Sequence, residues 1–157
     1  MQLHTLSLTF TDRELIATLQ RAFDMNKANM PPEAQDKLKN IKDLNLTFTP
    51  GTATITGKLT MGFIPIPFEA QCELTPTHHG TTLAIRLAKV KAALFTGGGE
   101  AIINALLSQL PPIDGLTATG DTLHLRYATL LAQRGLTITG TLRAIDIRPG
   151  QLTLTIS

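Results

Sequence analysis

Aromatic side chains are scarce in this sequence, at 4% of 157 residues, with one Tyr and no Trp. The hydrophobic interior must therefore consist mainly of aliphatic side chains. Charged residues are also few, at 17%, and the net charge of +2 is too small to indicate a nucleic-acid partner. The length suits a single domain covering residues 1–157, because a chain of this size can bury one proper core.

Cysteine and long apolar runs are nearly absent as well. Cys72 is the only cysteine of the sequence, which excludes an intrachain disulfide and a cysteine-based metal site. No run of 18 apolar residues is present to form a membrane-spanning helix. The first residues, MQLHTLSLTF, lack the basic and apolar segments of an export signal. We therefore expect a protein that is cytoplasmic or peripheral to a membrane if the chain is complete, and exported if a signal has been removed.

Two segments have the apolar periodicity of helices. The first is expected at about 12–25, where Thr11 and Glu14 form a T-x-x-E capping box. The second is expected at about 100–110, between a run of three glycines and Pro111, which stops it. The glycine run itself is interpreted as a flexible corner. A short polar helix is also expected at 33–40.

Most of the remaining sequence alternates apolar and polar residues, which predicts strands. Pro50-Gly51 and Pro149-Gly150 are turn signals between such strands. Pro65 and Pro67 cannot donate ladder hydrogen bonds, so that end of their strand is expected at a sheet edge. The predicted strands cover about 3–10, 44–48, 53–61, 64–74, 83–87, 123–127, 136–147 and 152–156. The fold class that follows is α+β, with a long antiparallel sheet and two main helices.

No pattern of residues in the sequence indicates catalysis, a metal or a cofactor. His78 and His79 are adjacent, so on a strand they would point to opposite faces and could not chelate one ion. Glu69 and Glu73 share the polar face of their strand, which predicts solvent exposure and not a cleft. The glycine run lacks the Lys and the Ser or Thr of a phosphate-binding P-loop. We therefore expect a protein that is not an enzyme.

The order of these elements resembles one module of the tubular lipid-binding (TULIP) superfamily. That superfamily includes the bactericidal/permeability-increasing proteins and small bacterial lipid-binding lipoproteins. The stretches that carry the resemblance are LNLTFTPGTATITGKLTMGFIPIPFEAQCEL, AIINALLSQLPP and GLTITGTLRAIDIRPGQLTLTI. They share with it an order of elements, not a signature motif.

The resemblance implies a strongly curved sheet wrapped around the helices, with acyl chains held along the inner seam. It also implies a lining formed by apolar residues of both helices and of inward-facing strand positions. A single module encloses only a short groove, so a homodimer would extend it. The implied lining is Ile16, Leu19, Phe23, Phe68, Ile85, Ile103, Leu106 and Leu110.

Two hypotheses for function follow. In the first, the protein binds or carries a lipid or fatty acid in an aliphatic groove between sheet and helices, with transient contact to a membrane surface. Each methylene buried there would contribute about 0.8 kcal/mol. In the second, it is a non-catalytic interaction or structural module, whose apolar seam is filled by its own side chains or by a partner.

Overall fold

The computed structural model describes residues 5–35, 41–61, 63–92 and 98–157. These residues form helices and two antiparallel sheets, joined by turns and loops, which confirms the predicted α+β class. The helices are α1 (Asp12–Ala28), α2 (Pro32–Gln35), α3 (Gly98–Gln109) and α4 (Tyr127–Ala132). The strands are β1 (Leu6–Thr11), β2 (Ile41–Thr49), β3 (Thr52–Met61), β4 (Ile64–Thr77), β5 (Thr82–Ala92), β6 (Leu116–Thr119), β7 (Thr122–Leu125), β8 (Leu142–Arg148) and β9 (Gln151–Ile156).

The larger sheet has six strands in the order β2-β3-β4-β5-β7-β6, and the smaller has three in the order β1-β9-β8. The two predicted turns join β2 to β3 and β8 to β9, with Gly51 and Gly150 at φ 72° and 73°, where glycine is favoured. These turns also connect the sheets. The Gly51 N–H donates to the Ile147 carbonyl at 3.0 Å, and the Gly150 N–H to the Phe48 carbonyl at 3.0 Å.

Helix α1 begins at the predicted capping box. The Thr11 hydroxyl accepts from the Glu14 N–H at 3.1 Å, and the Glu14 carboxylate accepts from the Thr11 N–H at 3.0 Å. Two of the four N–H groups left unpaired at the helix start are satisfied in this way. The helix continues three residues beyond the predicted end and stops at Asn29.

The inner face of the large sheet is covered by two different layers. At one end α3 packs on it, and Ile102, Ile103 and Ala105 are 0% exposed there. At the other end the small sheet packs on it, around Phe48 and Leu154. Leu46 and Cys72 pack against both groups, so the two halves of the interior are continuous.

Close packing explains part of the glycine run before α3. A Cβ built on Gly99 would lie 2.7 Å from the Leu87 carbonyl oxygen, closer than real side chains come. The helix therefore starts directly against β5. Gly99 allows this close approach, whereas we expected the glycine run to form a flexible corner. Gly97 lies outside the described residues.

Several strand boundaries differ from the prediction. The last hairpin begins at Leu142 and not near residue 136, and β6 was not predicted. Pro65 and Pro67 lie in β4, which has β3 on one side and β5 on the other. Within the described residues, the pairing of β4 with β5 begins only at Phe68, so the prolines are paired on the β3 side alone. Residues 36–40 of the predicted polar helix, and 3–4 of the first strand, lie outside the described residues.

Candidate functional site

Helix α1 lies along the free edge of β2, the outermost strand of the large sheet. Its apolar residues Ile16, Leu19 and Phe23 pack against the core, yet none of the 17 residues of the helix is buried. An edge strand needs cover for its unpaired backbone groups, and α1 gives it only in part. An elongated cleft therefore remains between the helix and the strand.

The cleft has two adjoining parts, each of about 350 Å³, that meet at Gln20. It follows α1 from Asp12 to Lys27, a distance of about 22 Å at the rise of an α-helix. Its apolar floor consists of side chains from both elements, and polar and charged side chains form its rim. The floor residues are Ile16, Phe23, Ile41, Leu44 and Leu46.

A β-bulge shapes the β2 side of the cleft. The pairing of β2 with β3 shifts between Lys42 and Asn45, and Asp43 has a positive φ of 53°. The extra residue puts both Lys42 and Asp43 on the exposed side and returns Leu44 to the core, where it is 5% exposed. Bulges often occur at sheet edges and next to functional sites, where they redirect side chains. Here the bulge places two charges above an apolar floor.

Gln109, the last residue of α3, closes one end of the cleft. It is 6% exposed, and its side-chain oxygen accepts the Ile41 N–H at 3.2 Å. Its backbone carbonyl accepts from the Asn26 side-chain amide at 3.0 Å, which ties α1 to α3. The Gln109 Nε2 is buried without a hydrogen-bond partner in the described part of the chain. A buried amide donor left unpaired destabilises the folded state by about 1–3 kcal/mol, so an acceptor that reached this group would stabilise the protein.

The rim around Gln109 carries both signs of charge. Asp24 and Lys27 come from α1, and Lys42 and Asp43 from the bulge of β2. The Asp43 carboxylate pairs with the Lys58 ammonium at 3.2 Å, so part of the negative charge is already balanced. Both partners are largely exposed, so this pair adds little stability. The rim around Gln109 therefore carries two acidic and two basic side chains above the apolar floor.

The structure brings six of the eight predicted lining residues into one cluster. Ile16, Leu19 and Phe23 are half-buried at its edge, and of these Ile16 and Phe23 line the cleft. Phe68, Ile103 and Leu106 lie inside it at 4%, 0% and 7% exposure, where they pack against the protein's own side chains. Ile85 packs against the other cluster, under the small sheet. Leu110 is half-buried, one residue beyond the end of α3.

Sequence reasoning missed Gln109 and the β2 side of the cleft. An amide within the otherwise apolar face of a predicted helix was the signal for Gln109, since a buried polar residue is more informative than an exposed apolar one. The bulge that positions Leu44 had no signal of its own, because Asp43 takes its positive φ without a glycine.

Two further clefts occur elsewhere. One, of about 410 Å³, lies between the two sheets next to Cys72, and burial raises the pKa of that thiol to about 12. The other, of about 650 Å³, is lined by threonines together with His78, His124 and Arg126. Glu69 and Glu73 are exposed, as predicted, and Glu73 pairs with Arg86 at 3.3 Å.

Among the residues described, no three His, Cys, Asp or Glu side chains are grouped so as to hold a metal ion. Over the same residues, no helix is both long enough and apolar enough to cross a bilayer. Comparison with protein-family models, with curated proteins and with solved structures finds no match to this chain.

Proposed function

We propose that this protein binds one acyl chain, of a fatty acid or a lipid, in the cleft between α1 and β2, without catalysis. The observation that carries the proposal is the buried, unpaired Nε2 of Gln109 at the end of a cleft with an apolar floor and a polar rim. A carboxylate or ester oxygen of the ligand would accept a hydrogen bond from it. The resemblance to the TULIP superfamily implies the same class of ligand, and we propose that the sheet curves around the helices as it does in that superfamily.

The dimensions of the cleft suit such a chain. The hydrocarbon core of a bilayer is about 30 Å thick, so one leaflet of acyl chains measures about 15 Å. The cleft is about 22 Å long and has an apolar floor. A single extended chain would fit along α1 with its polar end at Gln109.

We infer that α1 moves to enclose the acyl chain, because a chain that stays half-exposed would gain too little free energy on binding. An acyl chain of about sixteen carbons, half-buried in an open cleft, would gain roughly 6 kcal/mol. An association cost of at least about 4 kcal/mol would cancel most of this. Full enclosure would double the gain and support micromolar binding. Helix α1 is suited to such a movement because none of its side chains is buried and only half-buried contacts hold it.

Uptake of a fluorescent long-chain fatty acid by delipidated protein, with native mass spectrometry for stoichiometry, tests the proposal. Phe23→Ser should weaken uptake about tenfold, since it removes a half-buried aromatic side chain from the floor. Met25→Ser on the same helix is the matched control, because Met25 is 61% exposed and outside the cleft.

The expected result is one ligand per monomer, with weaker uptake by the Phe23 variant alone. Protein that takes up no fatty acid at any concentration would exclude the proposal. Equal effects of the two substitutions would place the chain elsewhere. A stoichiometry of one ligand per two chains would instead favour a homodimer in which two clefts join.

A further inference from the structure

The hairpin between β3 and β4 exposes two large apolar side chains at its tip. Phe63 is 102% exposed and Ile64 is 65% exposed, so neither contributes to the core. Pro65 and Pro67 beside them are exposed as well. Large exposed apolar groups next to each other mark contact sites with a partner or a membrane. The side chains of Phe63 and Ile64 in this apolar tip, defined as residues 63–65, therefore add little to the packing of the core.

The strands below the tip hold it in a defined position. Met61 pairs with Ile64, Thr60 with Pro65 and Lys58 with Pro67, so the ladder register continues up to the turn. Because proline lacks an N–H group, the outer side of this part of β4 presents fewer unpaired donors. A tip of this kind is suited to an apolar environment, in which unpaired N–H groups are costly.

Basic residues flank the tip on the adjoining strands. Lys42 of β2 and Lys58 of β3 are directly opposite each other in the ladder, an arrangement of like charges that destabilises a sheet. Lys58 is paired with Asp43, whereas Lys42 forms no ion pair within the described part of the chain. Lys91 is opposite Glu69 on the other side of the hairpin. Because Asp43 already offsets the charge of Lys58, Lys42 is the lysine of this pair whose charge an anionic surface would balance.

The same end of the sheet carries the Gln109 end of the cleft. Ile41, in the floor of the cleft, pairs with Leu59, only two residues before the last pair below the tip. Lys42 borders both features, since it lines the cleft and pairs with Lys58. A surface that contacts the tip would therefore also be near the polar end of the cleft.

We propose, on the basis of the acyl-chain function above, that the apolar tip inserts into the interface of an anionic bilayer and docks the Gln109 end of the cleft against it. Phe63 and Ile64 enter the boundary between head groups and acyl chains, as the apolar faces of membrane-surface elements do. Lys42 and Lys58 lie at the level of the anionic head groups. The docked orientation lets an acyl chain pass between bilayer and cleft without crossing water.

Vesicle co-sedimentation measures this docking directly. The probes are phosphatidylcholine vesicles with and without about one third phosphatidylserine, each at low and at high salt. Phe63→Ser should weaken binding to the anionic vesicles about tenfold or more, the ratio expected for burial of one phenylalanine. Lys42→Gln should weaken it about fivefold at low salt, and less at high salt. Leu136→Ser is the matched control, because Leu136 is 55% exposed elsewhere on the surface.

Fatty-acid uptake from solution separates this inference from the proposed function. Phe63→Ser should take up a fluorescent fatty acid as the unchanged protein does, since its side chain is outside the cleft. Phe23→Ser should show the reverse, with weak uptake and normal vesicle binding. Vesicle binding that is absent in the unchanged protein, or that falls equally with Leu136→Ser, would overturn membrane docking. So would a Phe63→Ser variant whose only change is loss of self-association, because the tip would then bind a second copy.

Discussion

Replacement of Gln109 by methionine separates ligand binding from fold stability. Methionine preserves the approximate length of the side chain but removes both the Nε2 donor and the Oε1 acceptor. In the unchanged protein the unpaired Nε2 lowers the free energy of unfolding by about 1–3 kcal/mol, and the methionine variant recovers this amount. Loss of Oε1 leaves the Ile41 N–H without its 3.2 Å partner and costs a similar amount. We therefore expect the free energy of unfolding to change by less than about 1 kcal/mol.

Fatty-acid affinity should respond much more strongly to the same change. A hydrogen bond to a charged group contributes about 1.5–3 kcal/mol, which corresponds to a loss of affinity of roughly 10- to 150-fold. Urea denaturation followed by circular dichroism measures the stability, and fluorescent fatty-acid titration measures the affinity. A long-chain hydrocarbon without a carboxylate should bind the variant and the unchanged protein alike.

Gln20→Met provides the matched control for this experiment. Gln20 lies where the two parts of the cleft meet, but its side chain is exposed to water, so its amide has no desolvation to recover. We expect its loss to change affinity less than about threefold. If Gln109→Met bound the fatty acid as tightly as Gln20→Met, the assignment of Nε2 as the ligand's hydrogen-bond donor would be refuted.

Two further predictions concern Tyr127 and the half-buried Cys72, both outside the cleft. The Tyr127 hydroxyl lies 2.7 Å from the Gly80 carbonyl oxygen and 2.9 Å from that of Gly140, so Tyr127→Phe should lower the free energy of unfolding by about 1–3 kcal/mol in urea denaturation. Desolvation raises the pKa of Tyr127, so the folded state retains its proton at a pH where the unfolded chain loses it. The stabilisation that comes from this raised pKa is therefore complete below the unfolded pKa of about 10 and declines at higher pH. The Tyr127→Phe variant should not show this decline. Burial raises the pKa of Cys72 from 9.0 to about 12, so at pH 8 its thiolate fraction is about 1,000-fold lower than in the unfolded chain. Alkylation by iodoacetamide should be slowed at least 100-fold relative to protein in urea, and equal rates would contradict the packing of Cys72 between the two sheets.

Local signals in the sequence were sufficient for the main helices, most strands and two turns. The capping box of Thr11 and Glu14 predicted the start of α1, because the residues that satisfy the first N–H groups lie within one turn of each other. Gly51 and Gly150 predicted their turns because the required positive φ is a property of a single residue. The α+β class followed from the change between the two hydrophobic periods.

Pairing between distant segments was decided only by the tertiary structure. Sequence alone did not indicate that the strands would separate into a six-stranded and a three-stranded sheet, because alternation specifies a face and not a partner. It likewise did not place α1 over the free edge of β2, or the bulge at Asp43 that returns Leu44 to the core. Both depend on contacts between residues far apart in the chain.

The chemistry of the cleft illustrates the same division. The apolar face of α1, with Ile16 and Phe23, was evident from its spacing, since helical periodicity is local. The buried amide of Gln109 became a candidate donor only through its position, 68 residues along the chain from its partner Ile41. The sequence determined which side chains avoid water, and tertiary packing determined which of the polar ones were buried without a partner, because burial depends on every neighbour at once.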